Sequence, residues 1–112
     1  MAYLCFLRKD EEGKAHEERR IDLAEDEDKE IKLGRDADKV DIHVDDPKAS
    51  TEHALIRFDG INFWIFDLES RNGLRVDHKW VENSPLLDGY VFRIGRTYLR
   101  FHSDDPRHKQ SS

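Results

Sequence analysis

The chain has 112 residues, of which 37% are hydrophobic and 39% are charged, and its formal net charge at pH 7 is −6. The length predicts one domain with a modest core and leaves no room for a second. The acidic balance argues against general binding to nucleic acid or to an anionic membrane, because those partners need a protein face dominated by Lys and Arg.

The cysteine count and the N-terminal residues indicate an intracellular protein. Cys5 is the single cysteine, so no internal disulfide can form, and the Cys/His spacing typical of zinc sites is absent. The apolar run over residues 2–7 is far too short for a membrane span and carries no basic leader or cleavage site. We therefore expect a cytoplasmic or nuclear location, with no signal peptide, no transmembrane segment, no metal and no cofactor.

The N-terminal part of the chain is predicted to form strands around a charged hairpin. Residues 3–7 form an aromatic and aliphatic run of strand length. Residues 8–30 hold many charges and few apolar side chains, so they are predicted to form a solvated hairpin region, with an exposed acidic turn at 25–28.

The second half of the chain carries the predicted core. Nine of the eleven aromatic residues lie between positions 53 and 101, and Trp64 is predicted to pack inside. Polar turn signals separate segments of strand length at a spacing typical of sandwiches and small barrels, and no helical period of useful length appears. These segments are 40–44, 53–58, 63–66, 74–76, 90–94 and 98–101. The polar residues 103–112 are predicted to be a disordered tail.

Four short motifs follow one another in a fixed order. Gly34-Arg35 comes first, then Ser50-Thr51-Glu52-His53, then Ser70-Arg71-Asn72-Gly73, and last a Leu-x-x-Gly-x-x-x-x-x-Gly pattern that ends at Gly95. This ordered set resembles the forkhead-associated (FHA) domain family over residues 31–101, and residues 3–7 fit the family's first strand. The resemblance implies an all-β, twisted two-sheet β sandwich of the FHA/SMAD-like kind, with its ligand loops at one end. It also implies a single FHA-like domain over residues 1–102.

The same resemblance implies a noncatalytic module that binds a phosphothreonine on an extended peptide. A phosphothreonine brings roughly −1.5 to −2 charges and three acceptor oxygens, which call for a donor fork and short donors. Arg35 offers the fork, and Ser50 and Thr51 offer hydroxyl or main-chain donors. By resemblance, Asn72 would hydrogen-bond the ligand's main chain just past the phosphothreonine.

Three further residues are expected to hold the loops. Gly34 would let the backbone turn so that the Arg35 guanidinium lies over the loop. Gly73 would permit the turn after Asn72. By resemblance, His53 would lie beneath the site and tie the loops together by hydrogen bonds.

The sequence departs from the family pattern at two positions. Thr51 stands where the family often has Arg or Lys, and Arg71 stands where Thr or Ser is common. We expect Arg71 either to replace some of the missing positive charge or to point outward and contact ligand side chains. The predicted contacting set is therefore Arg35, Ser50, Thr51, Arg71 and Asn72.

Other function classes have weaker support in the sequence. A phosphate-independent β-sandwich interaction or assembly domain stays open as the alternative, because of the departures at Thr51 and Arg71. An enzyme is not expected, since Ser50 and His53 lack the Gly-x-Ser-x-Gly elbow and no catalytic residue has a supporting context.

The partner is expected to be a phosphothreonine protein acting in trans, because the only threonines, Thr51 and Thr97, lie inside predicted elements of the domain. Partner identity and oligomeric state are left open. Acidic residues close to Arg35 and Ser50 in sequence predict that strongly acidic ligand flanks bind poorly. These residues are Asp36, Asp38, Asp45, Asp46 and Glu52.

Overall fold

The structure, a computed structural model, describes residues 1–110, which form eleven β-strands and one short 3-10 helix. The strands are β1 Ala2–Lys9, β2 Ala15–Leu23, β3 Glu30–Gly34, β4 Ile42–His43, β5 Ala54–Phe58, β6 Phe63–Asp67, β7 Leu74–Val76, β8 Lys79–Val81, β9 Asn83–Leu86, β10 Val91–Ile94 and β11 Thr97–Ser103. The helix spans Pro106–His108. Within this described range, no helix has the length and apolar character needed to cross a membrane.

The strands form two sheets that pack face to face. The six-stranded sheet has the order β2-β1-β11-β10-β7-β8, and the five-stranded sheet has the order β4-β3-β5-β6-β9. The β3–β4 pair is parallel, and the other pairs are antiparallel. The predicted all-β, two-sheet sandwich is confirmed.

The core lies between the two sheets and draws alternate residues from the central strands. Leu33, Ile56 and Ile65 are buried on the five-stranded sheet, and Phe92 and Leu99 are buried on the six-stranded sheet. The two layers also meet through a tilted aromatic pair, with 5.8 Å between the ring centroids of Phe63 and Phe101. An aromatic pair of this kind contributes about 0.5–1.5 kcal/mol beyond its buried area.

The N-terminal region contains a β-hairpin that begins at residue 2 and ends at residue 23. β1 and β2 pair in antiparallel register around the turn at residues 10–14, with a bulge between Leu4 and Phe6. β2 is mostly exposed, yet two of its cations cover aromatic rings of β1. The guanidinium of Arg20 lies 3.8 Å from the Tyr3 ring centroid, and that of Arg19 lies 4.4 Å from the Phe6 ring centroid. Cation–π contacts therefore hold this polar strand on the sheet.

The prediction of a disordered tail over 103–112 is wrong for the described residues 103–110. Ser103 ends β11, and Asp105 caps the short helix by accepting a hydrogen bond from the Arg107 backbone. His108 is fully buried, where its Nδ1 lies 2.6 Å from the Ser103 hydroxyl and its Nε2 donates to the Ile61 carbonyl. A single buried histidine in a polar segment produces no hydrophobic periodicity, so the sequence could not reveal that this segment packs against the sandwich. Residues 111–112 lie outside the described residues.

Trp64 also differs from its prediction. It follows Phe63 on β6 and so points to the opposite face of the sheet, where it is only partly buried. Its indole Nε1 donates a hydrogen bond to Asp59 Oδ2 at 2.8 Å. Trp64 is therefore an outer-face residue with a polar partner, and the core position that we predicted for it is wrong.

Candidate functional site

Three loops meet at one end of the sandwich and form a pocket of about 400 Å³. They are the β3–β4 loop, the β4–β5 loop and the β6–β7 loop. We call this cavity the loop pocket; it is lined by Arg35, Pro47, Lys48, Ala49, Ser50, Thr51, Arg71 and Asn72. The five residues of the predicted contacting set therefore lie together, although they come from three separate segments.

Arg35 is fixed by hydrogen bonds to the opposite loop. Its backbone N–H donates to the Ser50 carbonyl at 2.9 Å, and its side-chain Nε donates to the Ala49 carbonyl at 3.0 Å. Among residues 1–110 the two terminal nitrogens of this guanidinium have no protein partner. Arg35 therefore presents a positioned, exposed fork of donors at the loop pocket.

Gly34 is needed for close approach of two backbones, and not for an unusual turn conformation as we predicted. Its φ is not positive, but a Cβ at this position would lie 2.2 Å from the Thr51 carbonyl oxygen. Any side chain here would push the β4–β5 loop away from β3. The absence of a side chain at Gly34 thus sets the distance between Arg35 and the loop that carries Ser50.

His53 joins two of the loops from below, in the position that the resemblance implies. It is fully buried, and its Nδ1 accepts a hydrogen bond from the Ser50 backbone N–H at 3.0 Å. Because an N–H can only donate, the ring proton is on Nε2, which donates to the Gly73 carbonyl at 2.8 Å. A neutral imidazole thereby ties the β4–β5 loop to the β6–β7 loop.

The Ser50 side chain has a free donor. Its Oγ accepts a hydrogen bond from the Arg71 backbone N–H at 2.9 Å, and a hydroxyl can accept and donate at once. Ser50 therefore fixes the β6–β7 loop while its proton stays available to an acceptor in the loop pocket. Thr51 lies next to it with an exposed hydroxyl.

Asn72 and Lys48 form the far side of the loop pocket. The Asn72 amide Nδ2 donates to the Lys48 carbonyl at 2.6 Å, which leaves its Oδ1 available as an acceptor for a main-chain N–H. Gly73 has a φ of +82°, and its missing Cβ would lie 3.1 Å from the Trp80 ring. The turn after Asn72 therefore needs glycine for its conformation and for contact with Trp80.

Lys48 is a lining residue that sequence reasoning missed. It follows Asp45-Asp46-Pro47, which we had interpreted only as a turn signal, and it is exposed. A basic residue two positions before Ser50, in a loop that is otherwise acidic, is the signal that could have found it.

Asp46 is a second residue that the sequence did not reveal, and it holds the loop from inside. Its Oδ1 accepts from the Lys48 backbone at 2.8 Å, and its Oδ2 accepts from the Arg96 backbone and from the Thr97 hydroxyl, both at 2.7 Å. Burial raises the pKa of this carboxyl, but these hydrogen bonds outweigh burial and hold the pKa below its ordinary value.

The β10–β11 turn supports the same loop. Gly95 has a φ of +63°, and a Cβ there would lie 2.8 Å from the Ala49 backbone nitrogen. The glycine that ends the fourth motif is therefore a contact point beneath the loop pocket. Together with Asp46, it fixes the height of the β4–β5 loop above the sandwich.

The five acidic residues that lie close to Arg35 and Ser50 in sequence do not line the loop pocket. Among the described residues 1–110, the lining of the loop pocket contains no carboxylate and includes three cations, Arg35, Lys48 and Arg71. Asp46 is buried beneath the loop, and Glu52 pairs with Lys32 Nζ at 2.9 Å. The prediction that acidic flanks bind poorly stays a prediction, because Asp36, Asp38 and Asp45 are on the loops that form the loop pocket.

One side-chain cluster away from the loop pocket has metal-ligating groups. Ligand atoms of Cys5, Glu17 and His102 lie within 4.8 Å of one another on the outer face of the six-stranded sheet. The Glu17 carboxylate already accepts from Arg100 Nη1 and from His102 Nε2, each at 2.9 Å. Burial and the hydrogen bond with Glu17 raise the pKa of the Cys5 thiol, which opposes formation of the thiolate that a metal needs. The cluster thus forms a closed hydrogen-bonded network.

Comparison with known proteins points to one family. Glycogen accumulation regulator GarA of Mycolicibacterium smegmatis is 37% identical over 68 residues, which are 61% of this chain and 42% of that protein. The chain therefore spans less than half the length of this relative. A family model for the FHA domain matches residues 31–95, a range that contains every predicted site residue.

Solved structures agree over nearly the whole chain. An FHA domain from Chlamydia trachomatis has a TM-score of 0.75 at 25% identity and covers 93% of this chain and 98% of its own. An FHA domain solved in a study of phosphothreonine-dependent FHA domain interactions has a TM-score of 0.70 at 25% identity, with 93% and 97% covered. EmbR of Mycobacterium tuberculosis, solved with a low affinity phosphopeptide, has a TM-score of 0.68 at 28% identity, with 99% and 25% covered. Because the family model covers more than half of its residues and the sandwich superposes on these domains, the chain belongs to the FHA domain family.

Proposed function

We propose that this chain is a noncatalytic phosphothreonine-peptide binding module that mediates a phosphorylation-dependent interaction with another protein. One observation carries the proposal: a guanidinium fork, a hydroxyl and an amide converge from three loops on a pocket whose described lining has no carboxylate. Relatives support it, since one FHA structure concerns phosphothreonine-dependent interactions and EmbR was solved with a phosphopeptide.

Each polar residue of the loop pocket has a role in this proposal. Arg35 and Ser50 donate to the phosphate oxygens, and Lys48 and Thr51 supply the charge and the short donor nearest to them. Asn72 fixes the ligand backbone by hydrogen bonds, which sets the peptide's direction without reading its side chains. Arg71 either adds charge to the phosphate or contacts a ligand side chain.

The energetics predict modest affinity. Hydrogen bonds to charged groups contribute about 1.5–3 kcal/mol each, so three contribute roughly 5–9 kcal/mol before association costs of several kcal/mol. Contacts outside the phosphate must therefore add affinity, and a micromolar dissociation constant, about −8 kcal/mol, is the expected outcome.

Location and extent belong to the same proposal. A buried free cysteine, Cys5, and a phosphorylated partner both fit a cytoplasmic or nuclear protein. The docked segment around His108 extends the proposed FHA domain from residue 102 to residue 110.

Calorimetric titration with a degenerate phosphothreonine library tests the proposal, with matched phosphoserine and unphosphorylated libraries. We expect micromolar binding of the phosphothreonine library and at least a tenfold loss in Arg35→Ala, because the donor fork is removed. Arg57→Ala is the matched control, since Arg57 is an exposed arginine on β5 that does not line the loop pocket.

The titration distinguishes phosphate-dependent peptide binding from the alternative, a phosphate-independent assembly domain. Equal binding of phosphorylated and unphosphorylated libraries would overturn the proposal and favour the phosphate-independent assembly domain.

The Arg71→Ala variant separates the two roles of that residue. A loss of affinity shared by all phosphopeptides indicates phosphate contact, whereas a loss of affinity confined to peptides with particular flanking residues indicates contact with ligand side chains.

A further inference from the structure

The outer face of the six-stranded sheet carries two arginines directly opposite each other. The strand registers pair Arg93 of β10 with Arg75 of β7, Arg93 with Tyr98 of β11, and Arg75 with Trp80 of β8. All four side chains lie on the solvent side, because their strand neighbours Leu74, Val76, Phe92, Ile94 and Leu99 are buried. One row across the sheet therefore contains Tyr98, Arg93, Arg75 and Trp80, with the two arginines in the middle and an aromatic residue at each end.

Like charges directly opposite on adjacent strands destabilise a sheet. Aromatic rings stack at both ends of the pair, with 5.6 Å from the Arg93 guanidinium to the Tyr98 centroid and 5.7 Å from the Arg75 guanidinium to the Trp80 centroid. These contacts fix the two side chains but do not cancel their charge. The Nε of Arg75 is buried and has no hydrogen-bond partner within residues 1–110. A buried donor without a partner is unfavourable unless a ligand supplies the acceptor.

The surroundings of this pair are basic as well. A groove of about 520 Å³ passes over it, and we call this cavity the sheet groove. Within the part of the chain that the structure describes, its polar lining has no carboxylate and consists of Lys9, Arg75, His78, Arg93, Arg96 and Tyr98. The Lys and Arg side chains that pair with carboxylates in the described part of the chain all lie outside this lining. In a chain of net charge −6, this is a local excess of unpaired positive charge.

The sheet groove continues into the loop pocket. A smaller cavity of about 250 Å³ between them shares Lys48 and Asn72 with the loop pocket, and shares Arg93 and Arg96 with the sheet groove. Asn72 and Arg75 are three residues apart, so their Cα atoms are at most about 10 Å from each other. Three or four residues of an extended peptide cover that distance, and one polypeptide can therefore occupy both cavities.

We propose that the sheet groove is a second anion site, which binds an acidic stretch or a second phosphorylated residue of the peptide whose phosphothreonine occupies the loop pocket. The inference rests on the proposed function and adds a ligand class to it: phosphothreonine peptides with negative charge about four to eight residues away. The paired guanidinium groups of Arg75 and Arg93 form the donor set, since two adjacent forks match carboxylate or phosphate oxygens. Electrostatic complementarity selects this partner among other phosphothreonine peptides.

The test compares three phosphothreonine peptides of equal length by calorimetry. Their extensions carry three Glu residues, one further phosphothreonine, or three Gln residues. We expect the two anionic extensions to bind the wild-type domain about tenfold more tightly than the Gln extension, the change that 1.4 kcal/mol gives. In the Arg75→Gln/Arg93→Gln double variant this advantage should vanish, while the Gln-extended peptide keeps its wild-type affinity.

Lys29→Gln/Arg57→Gln is the matched control, because it removes two positive charges from exposed positions outside both cavities. It should keep the full advantage of the anionic extensions. If the Glu extension and the phosphothreonine extension raise the affinity by similar factors, the sheet groove is a site for general negative charge. If only the phosphothreonine extension raises the affinity, the sheet groove is a phosphate site. Either result supports the proposal.

Failure of this inference can be separated from failure of the proposed function. Equal affinities for all three peptides, or an equal loss in the double variant and in the control, would overturn the second anion site and leave phosphothreonine binding intact. If the Gln-extended peptide instead bound equally well with and without its phosphate, the proposed function would be overturned. Thermal denaturation of the double variant checks its folding, and we expect one cooperative transition close to that of the wild type, because removal of the like-charge pair offsets loss of the cation–π contacts.

Discussion

At the residue scale, Gly34 and Arg35 act as a pair in which one residue has no side chain so that the other is placed correctly. The Gly34 backbone lies against the Thr51 carbonyl, and Arg35 then donates from its backbone to Ser50 and from its side chain to Ala49. The distance between β3 and the β4–β5 loop therefore decides whether the guanidinium and the Ser50 hydroxyl reach one anion. A methyl group is enough to change that distance.

We expect Gly34→Ala to destabilise the domain by about 1–3 kcal/mol, because a Cβ 2.2 Å from a carbonyl oxygen forces the backbone to move. It should also weaken phosphopeptide binding by more than tenfold, since Arg35 moves away from Ser50. Denaturant unfolding and calorimetry measure the two effects.

Gly13→Ala is the control for that variant. Gly13 has a φ of +82° and nothing within 4 Å of its missing Cβ, so alanine there adds only the conformational penalty of about 1–2 kcal/mol. Phosphopeptide affinity should stay at the wild-type value. If both variants bound peptide normally, close approach at Gly34 would have no part in placing Arg35.

At the scale of elements, the β4–β5 loop depends on the β10–β11 turn of the opposite sheet. Asp46 connects the two by accepting from Arg96 and Thr97 while it also accepts from Lys48 in its own loop. The loop that carries Ser50 is therefore fixed to both layers of the sandwich. We therefore expect the β4–β5 loop to be well ordered only while the Asp46 carboxylate is ionised.

Asp46 gives a pH dependence whose sign is set by its lowered pKa. A group with a folded pKa below its unfolded value stabilises the fold above the unfolded pKa, near 3.8, and loses that contribution as the pH falls through the folded pKa. We expect Asp46→Asn to destabilise the domain by about 1–3 kcal/mol at pH 7, because an amide cannot accept from all three donors. The difference from wild type should shrink below pH 3.8.

Chemical denaturation at pH 7, 5 and 3 measures this trend. Asp45→Asn is the control, because Asp45 is the exposed neighbour in the same loop. A difference between Asp46→Asn and wild type that stayed constant down to pH 3 would show that the carboxylate charge is not what holds the loop.

Prediction of the elements from sequence succeeded where alternation is strong and failed where it is weak. β6, β10 and β11 bury every second residue, so their apolar pattern was readable. β8 and β9 are short edge elements, and β9 contains Pro85, which an edge strand tolerates but which hides the strand in the sequence. Trp64 shows the opposite error, because aromatic character suggested the core although period two places it opposite Phe63 and Ile65.

The contacting residues of the site were predictable because the family motifs are local, whereas their supports are not. Gly34, Ser50, His53 and Asn72 stand in recognisable short patterns. Asp46 and Gly95 meet across about fifty positions of sequence, and the docking of His108 on Ile61 also joins distant segments. Contacts of this kind arise from the packing of the sheets, which no short pattern records.

The docked C-terminal segment is the element whose contribution can be measured most directly. We expect His108→Ala to destabilise the domain by about 2–4 kcal/mol, because it removes a buried ring beside Phe63 and leaves the Ile61 carbonyl unpaired. The melting temperature should fall by about 10 °C or more.

Arg107→Ala is the neighbouring control. Arg107 is exposed, and its ion pair with Asp105 is a surface pair, so its removal should cost less than about 1 kcal/mol. Thermal denaturation measures the melting temperatures of both variants. Equal melting temperatures for His108→Ala and wild type would mean that residues 104–110 add nothing to the fold.

At the scale of the whole molecule, the acidic turn and the loop pocket lie at opposite ends of β3. The loop pocket lies beyond Gly34, and the acidic turn at residues 25–28 precedes Glu30 at the other end of the strand. The four steps of β3 between them span about 13 Å. That distance exceeds the Debye length of about 8 Å at physiological ionic strength, so the acidic turn is screened from a phosphate that arrives at the loop pocket.

This separation predicts how salt changes the kinetics of binding. Raising the salt concentration from 0.05 to 0.5 M should slow the association of a phosphothreonine peptide about tenfold and change its dissociation much less, because screening removes attraction at long range. Stopped-flow fluorescence measures both rates. Glu25→Gln/Asp28→Asn should change the association rate less than twofold at 0.15 M, since the acidic turn is screened from the loop pocket. Association that became faster with salt would instead show that the net charge of −6 governs the encounter.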